Sequence, residues 1–163
     1  MNRKTLFSFV ILSLLFIENN SFANSQQYRD EIPSPEKLSD FTIGFKRIEK
    51  GLKYEAKGKI KKANKMYEES INFLLEANKN RNSDPNIFFY LGFAYNKLRN
   101  IENAEIYYTL GLTLDPKNPY INLNLGELYF TSKRKNLAKE RLKALSMCNC
   151  DQYSILKNII QNN

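Results

Sequence analysis

The chain has 163 residues, a net charge of +8 and 42% hydrophobic residues, which is enough for one domain with a folded core. It contains no histidine. This excludes the commonest general base and the mixed cysteine–histidine zinc sites. We expect no enzymatic activity and no cofactor, and no metal site apart from the alternative at the two cysteines considered below.

The N-terminus has the pattern of a secretory signal peptide. A basic start, MNRK, precedes the thirteen-residue apolar run TLFSFVILSLLFI, and a small-residue end follows. As a helix this run is about 20 Å long, shorter than the roughly 30 Å hydrocarbon core, which disfavours a membrane anchor. We therefore predict a signal peptide over residues 1–23, cleaved after about Ala23, and export to a bacterial periplasm.

A polar segment with two prolines, residues 24–39, is predicted to be a flexible linker. From about residue 40, apolar residues recur at three- and four-residue steps, the spacing of amphipathic helices, and no strand-like alternation is found. We predict an all-α fold of about seven helices. The predicted breaks fall at 58–59, 78–86, 99–100, 115–119, 131–135 and 148–151.

Three segments of the helical region align with one another. Each begins with glycine, has tyrosine three residues later and alanine twelve residues after the glycine, and then a large residue four further on. We expect the glycine and alanine to let two antiparallel helix backbones approach closely. The aligned residues are Gly51, Tyr54, Ala63 and Tyr67; Gly92, Tyr95, Ala104 and Tyr108; and Gly126, Tyr129, Ala138 and Leu142.

The spacings between the glycines are 41 and 34 residues. The difference of seven residues corresponds to two helical turns, so an insertion of this length keeps the same helix face inward. We therefore expect the second helix of the first segment to be longer than its counterparts.

This arrangement resembles the tetratricopeptide repeat, a 34-residue helix–turn–helix unit. The middle segment carries the family's motif residues at Phe88, Leu91, Gly92, Tyr95, Ala104, Tyr108 and Pro116. The resemblance implies an α–α superhelix of three repeats over residues 40–147, at about 44–84, 85–118 and 119–149. The tail, residues 148–163, would then supply a CxC loop and an amphipathic capping helix.

The resemblance also implies a concave groove, lined by the first helix of each repeat, that binds a peptide or a partner's helix. The predicted groove residues are Ile48, Leu52, Glu55, Asn86, Phe89, Tyr90, Phe93, Asn96, Lys97, Tyr120, Leu123, Asn124, Glu127 and Phe130. These are mainly apolar and aromatic, with amides at the edges, which suits another protein or an unfolded segment of one. We predict a protein-interaction scaffold or adaptor. The alternative is that Phe89, Phe93 and Phe130 only pack against neighbouring repeats.

Some members of that family bind a partner's C-terminal carboxylate through lysine and asparagine at set groove positions. Here the matching positions hold apolar residues, among them Ile48, Leu52, Phe89 and Phe93, so we do not expect that mode. The lysines are scattered, apart from the run KYEAKGKIKKANK at 53–65. We interpret this run as a solvated face and expect no nucleic-acid partner and, at most, peripheral membrane contact.

Cys148 and Cys150 are the only cysteines. In an oxidising compartment two cysteines usually form a disulfide, which here would fix the angle between the last repeat and the capping helix. Two further interpretations stay open: a redox-active pair, and a copper(I) site that uses both thiolates and Met147. They define the alternative function, a thiol-redox or copper-handling accessory protein.

Overall fold

The structure is a computed structural model that describes residues 39–80 and 84–161. These residues form helices and turns and contain no strand, which confirms the all-α prediction. The predicted signal peptide, and the predicted linker up to residue 38, lie outside the described residues. The helices are α1 (Asp40–Glu55), α2 (Ile60–Asn80), α3 (Pro85–Lys97), α4 (Ile101–Leu114), α5 (Pro119–Thr131), α6 (Lys135–Leu145) and α7 (Asp151–Gln161).

Polar caps and prolines fix where α3 and α5 begin. The Asp84 carboxylate accepts a hydrogen bond from the Asn86 backbone amide at 2.8 Å, and Pro85 occupies the first turn. The Asn118 side chain accepts from the Ile121 amide at 3.0 Å, with Pro119 following it. Both arrangements satisfy a backbone amide that lacks a partner within the helix.

The turn within each repeat has the same backbone conformation. Gly58, Arg99 and Lys133 have φ angles of 66°, 63° and 64°, in the left-handed region that ends helices. They are separated by 41 and 34 residues, the same spacings as the aligned glycines. The turn geometry therefore repeats although glycine occupies only the first of the three positions.

The helices pack as three antiparallel pairs, α1 with α2, α3 with α4, and α5 with α6. Contacts of α1 with α3 and of α3 with α5 place the first helices of successive repeats side by side. The seventh helix packs against α5 and α6, as expected of a cap. No helix in the described ranges has the length and apolar character needed to cross a membrane.

The predicted extension of the first repeat is confirmed, since α2 has 21 residues and α4 has 14. The added turns bury Leu74 and Ala77. Gly44 on α1 leaves room for the Leu74 side chain, because a Cβ at position 44 would lie 2.8 Å from Cγ of Leu74. The Ser70 hydroxyl also donates to the Gly44 carbonyl at 2.8 Å. Gly44 was not among the packing residues predicted from the sequence.

The aligned glycines of the first two repeats face aromatic rings. A Cβ built on Gly51 would lie 2.5 Å from Cε1 of Tyr67, and one on Gly92 would lie 2.5 Å from Cδ1 of Tyr108. The expectation that another backbone needs this space was therefore wrong. Each glycine makes room for the ring of the second helix, which is fully buried.

The third repeat departs from this pattern. A Cβ on Gly126 would lie 2.5 Å from Cδ2 of Leu156, which belongs to the capping helix. The aligned residue of its own second helix, Leu142, is only half-buried. Because leucine is smaller than tyrosine, the capping helix fills the position that a tyrosine ring fills in the other repeats.

The remaining aligned positions are occupied as follows. Ala63, Ala104 and Ala138 are 0–1% exposed, and Tyr129 is buried. Tyr54 and Tyr95 are half-buried, and the Tyr95 ring stacks on Tyr107 with centroids 5.4 Å apart.

Ile48, predicted to line the groove, is 3% exposed, so that prediction was wrong. It belongs to the core cluster that α1 shares with α2 and α3.

Candidate functional site: the face of the first helices

The first helices α1, α3 and α5 bring most predicted groove residues to one face. Phe89 lies at the centre of an aromatic cluster. Its ring centroid is 5.0 Å from Tyr90 and 6.3 Å from each of Phe93, Tyr108 and Tyr120. Phe89 therefore links α3 with α4 and α5 and contributes to packing between repeats.

The cluster also extends onto the first repeat through two residues that were not predicted. The Tyr90 ring lies 5.2 Å from Phe45 and 5.8 Å from Phe41, both on α1. These two phenylalanines precede Gly51, the first residue of the aligned pattern in their repeat, and so lie outside that pattern. The two residues are four apart in the sequence, which places both on the same side of a helix, and this spacing could have predicted that they share a surface.

The cluster is not sealed from solvent. Phe89, Tyr90, Phe93 and Tyr120 are all half-buried, and Leu52 on α1 is 38% exposed. The Lys97 ammonium lies 5.5 Å from the Phe93 ring centroid, within the range of a cation–π interaction. The face thus presents partly exposed rings bordered by a lysine.

A polar network lies beside these rings and joins the first two repeats. The Tyr67 hydroxyl donates to Oε2 of Glu55 at 2.7 Å, and the Lys97 ammonium lies 3.0 Å from the same oxygen. The Tyr67 hydrogen bond lowers the pKa of Glu55, outweighing partial desolvation, and Lys97 lowers it further. Burial and the Glu55 carboxylate raise the pKa of the Tyr67 phenol.

Tyr108 occupies the position equivalent to Tyr67 but lacks this support. Its side chain is fully buried, and its hydroxyl has no hydrogen-bond partner among the described residues. Asn96, at the position of Glu55 in its repeat, and Glu127 lie close enough to affect the phenol, without hydrogen-bond geometry. Burial raises the pKa of Tyr108 and the Glu127 charge adds to the increase, whereas the nearby Asn96 side chain lowers it.

The third repeat contributes a shallow depression where α5 meets the capping helix. Its lining residues are Glu127, Phe130, Thr131, Lys135 and Ile159. The Lys135 ammonium lies 5.5 Å from the Phe130 ring centroid. Phe130 and Glu127 therefore lie together, at one end of the face.

Three other residues were predicted to line the groove: Asn86 lies at the start of α3, and Leu123 and Asn124 lie within α5. The Asn86 backbone takes part in the cap of α3. Leu123 and Asn124 are half-buried on α5. The Asn124 side-chain amide donates to the Tyr120 carbonyl at 2.9 Å, within the helix. This bond occupies one of the amide's two N–H groups.

The cysteines are joined by a disulfide, with their Cα atoms 5.2 Å apart. Met147, which precedes them, is 91% exposed. While bridged, neither sulfur is a thiolate of the kind that copper(I) binding requires. Within residues 39–80 and 84–161, no three histidine, cysteine or acidic side chains come together as a metal site.

Together these features define an α-solenoid of paired helices with a partly exposed aromatic face. Residues 86–118 match the sequence model of the tetratricopeptide repeat, which corresponds to the middle repeat. The match shows a tetratricopeptide repeat over residues 86–118, and the helix pairs on either side have the same antiparallel packing. No curated protein sequence gives a significant match.

Two solved structures share the fold. The first tetratricopeptide domain of Spaghetti (RPAP3), bound to the HSP90 peptide SRMEEVD, is similar with a TM-score of 0.54 and 22% identity, covering 75% of this chain and 94% of that one. The solution structure of the first such domain of human RPAP3 has a TM-score of 0.54 and 22% identity, covering 73% and 91%. At this identity the similarity establishes the fold.

Proposed function

We propose that this protein is a scaffold or adaptor of the bacterial periplasm that holds a segment of a partner protein against the face of α1, α3 and α5. The observation that carries the proposal is the row of half-buried rings, Phe89, Tyr90, Phe93 and Tyr120, on adjacent first helices. Rings in this state offer large apolar contact area at a low entropy cost.

The RPAP3 domain, bound to a heptapeptide, supports a peptide or helix as the type of partner. The chemistry of recognition proposed here follows from the rings of this chain, because the face is mainly aromatic. Apolar side chains of the partner would contact Phe93 and Leu52. The Asn96 amide would pair with the partner's backbone, since amides can both donate and accept.

Photo-crosslinking in cells tests this proposal. A photoreactive amino acid at position 93 should capture one recurrent partner, whereas the same group at position 106 should not. Ile106 is a suitable control because it is 47% exposed on the second helix of the same repeat. Capture from position 106 but not from 93 would contradict the proposal.

The role of the cysteines is tested separately. Replacing both with serine should preserve the crosslink from position 93, because we assign the bridge between Cys148 and Cys150 a structural role at the cap. Loss of the crosslink in a variant that remains folded would favour the thiol-dependent alternative. Export is a separate prediction. It is tested by isolating the protein from the periplasmic fraction and sequencing its N-terminus, and we expect the mature chain to begin near Asn24.

A further inference from the structure

The three turns within the repeats lie along one edge of the solenoid, here called the turn edge. It comprises the last turn of each first helix, the connecting turn and the first turn of each second helix, residues 52–63, 94–104 and 128–138. Two ion pairs hold neighbouring turns together. Lys97 contacts Glu55 at 3.0 Å, and Arg134 contacts Glu105, just beyond the second segment, at 2.6 Å.

Positive charge is concentrated on this edge. The three segments carry ten basic and two acidic side chains, a net charge of +8. The described residues of the connections between successive repeats and to the cap, 77–80, 84–88, 111–122 and 142–154, carry three basic and three acidic side chains and no net charge. The solenoid is therefore strongly polarised from one edge to the other, and such an asymmetry orients a protein in an electrostatic field.

Most of these charges are not used within the fold. Among the described residues, no acidic group forms an ion pair with the exposed basic side chains of the edge. Those side chains are Lys53, Lys57, Lys59, Lys61, Lys62, Arg99, Lys133 and Lys135. All eight side chains are exposed to an external anionic partner, although Lys62 and Lys135 also lie over the rings of Tyr54 and Phe130.

An exposed apolar side chain stands among them. Ile60 begins α2 between Lys59 and Lys61 and is 53% exposed. Single exposed apolar side chains are common on protein surfaces, but this one stands between two lysines on the most basic part of the edge. It matches the requirement of a bilayer interface, where cations meet the headgroups and an apolar tip enters below them.

We propose that the turn edge binds the surface of an anionic phospholipid bilayer. Lysines suit a diffuse layer of headgroups, because each is a flexible point charge that needs no fixed partner geometry. Protein interfaces, in contrast, are depleted in lysine at their centres. A nucleic acid would pair its phosphates with the lysines, but its charged backbone offers no apolar surface for Ile60 to contact.

This binding mode does not depend on the groove proposed above, but the two surfaces share a border at Leu52, Glu55, Asn96, Lys97 and Phe130. The helices run from the turn edge to the opposite edge. A bilayer bound at the turns would meet the last turns of the first helices and leave the part of the face with Phe89, Tyr90 and Tyr120 open.

Vesicle sedimentation tests the inference. The protein is purified from cells that express the full chain, so that any processing has already taken place. We expect binding to vesicles of phosphatidylcholine and phosphatidylglycerol in equal parts, reversed by salt, and weaker binding to phosphatidylcholine alone. Each lysine near an anionic surface strengthens binding about fivefold, so the triple variant Lys57→Gln, Lys59→Gln, Lys61→Gln should bind about a hundredfold more weakly.

The matched control is Lys117→Gln, Lys139→Gln, Lys143→Gln, which removes the same charge from exposed positions outside the turn edge. It should bind nearly as well as the unaltered protein. Ile60→Asn should weaken binding without any change in charge. The inference is overturned by no preference for phosphatidylglycerol, by equal losses in the two triple variants, or by binding to duplex DNA or polyglutamate with none to vesicles.

Discussion

Two tyrosines at equivalent positions of adjacent repeats have different polar surroundings. Tyr67 donates its hydroxyl to Glu55, whereas the Tyr108 hydroxyl is buried without a partner among the described residues. A buried hydroxyl that makes no hydrogen bond destabilises the folded state, while a hydrogen bond to a carboxylate stabilises it. The same substitution should therefore have opposite effects at the two positions.

We expect Tyr67→Phe to lower the free energy of unfolding by about 1 kcal/mol, because a charge-assisted hydrogen bond at a partly exposed site is lost. Tyr108→Phe should leave it unchanged or raise it by up to about 1 kcal/mol, because an unpaired hydroxyl is removed. Urea denaturation of the two variants measures both effects. An equal loss in both would contradict the assigned hydrogen bonding.

The Tyr67 hydrogen bond also predicts a dependence on pH. Since it lowers the pKa of Glu55 in the folded state below 4.5, the stability it contributes is present above that pH and lost as pH falls through the folded pKa. The difference in stability between the unaltered protein and Tyr67→Phe should therefore shrink between neutral pH and about pH 3. A difference that stays constant over this range would exclude Glu55 as the acceptor.

Gly92 and Gly126 provide a second comparison. In Gly92→Ala the new methyl group meets the Tyr108 ring, which is fully buried and rigid, and we expect a loss of about 1–3 kcal/mol. In Gly126→Ala it meets the end of the Leu156 side chain, which can rotate, so the loss should be smaller. The urea concentrations at the unfolding midpoints of the two variants give this comparison, provided that the slope of the free energy against urea is unchanged. A larger loss in Gly126→Ala than in Gly92→Ala would be inconsistent with these contacts.

At the scale of helices, α7 completes the third repeat. Leu156 is 0% exposed and packs over Gly126, whereas its neighbour Ile155 is 45% exposed. Leu156→Ala should lower the free energy of unfolding by about 2–5 kcal/mol, and Ile155→Ala should have little effect. Thermal denaturation distinguishes them, and similar stabilities would show that the capping helix does not seal the core.

The helices and their breaks were predictable because they depend on local signals. Apolar periodicity, the prolines at 85 and 119 and the seven-residue difference in glycine spacing locate the helices and the longer α2. The turn at Gly58 is signalled by its glycine. Arg99 and Lys133 adopt the same conformation without glycine, so only their place in the repeat reveals it.

Other features depend on contacts that a single repeat does not contain. The partner of Gly126 comes from the capping helix, outside the repeat pattern. Ile48 is buried because α1 packs against both α2 and α3, and the motif register alone placed it on the surface. Phe41 and Phe45 join the aromatic face because α3 brings Tyr90 beside them.

At the scale of the whole molecule, the two proposed functions use adjoining surfaces that share the last turns of the first helices. The face of the first helices carries the aromatic rings, and the turn edge carries the positive charge. The pair between Lys97 and Glu55 lies where the two meet and links the first two repeats. A partner held on the face would therefore also contact the residues that hold successive repeats in register.

The measurement that tests the central claim most directly is hydrogen–deuterium exchange of the protein with the partner segment identified by crosslinking. We predict that the partner slows exchange in α1, α3 and α5, where the aromatic face lies, and leaves α4 and α6 unchanged. Slower exchange in α4 and α6, with α3 unchanged, would contradict the account and place the partner on the opposite face.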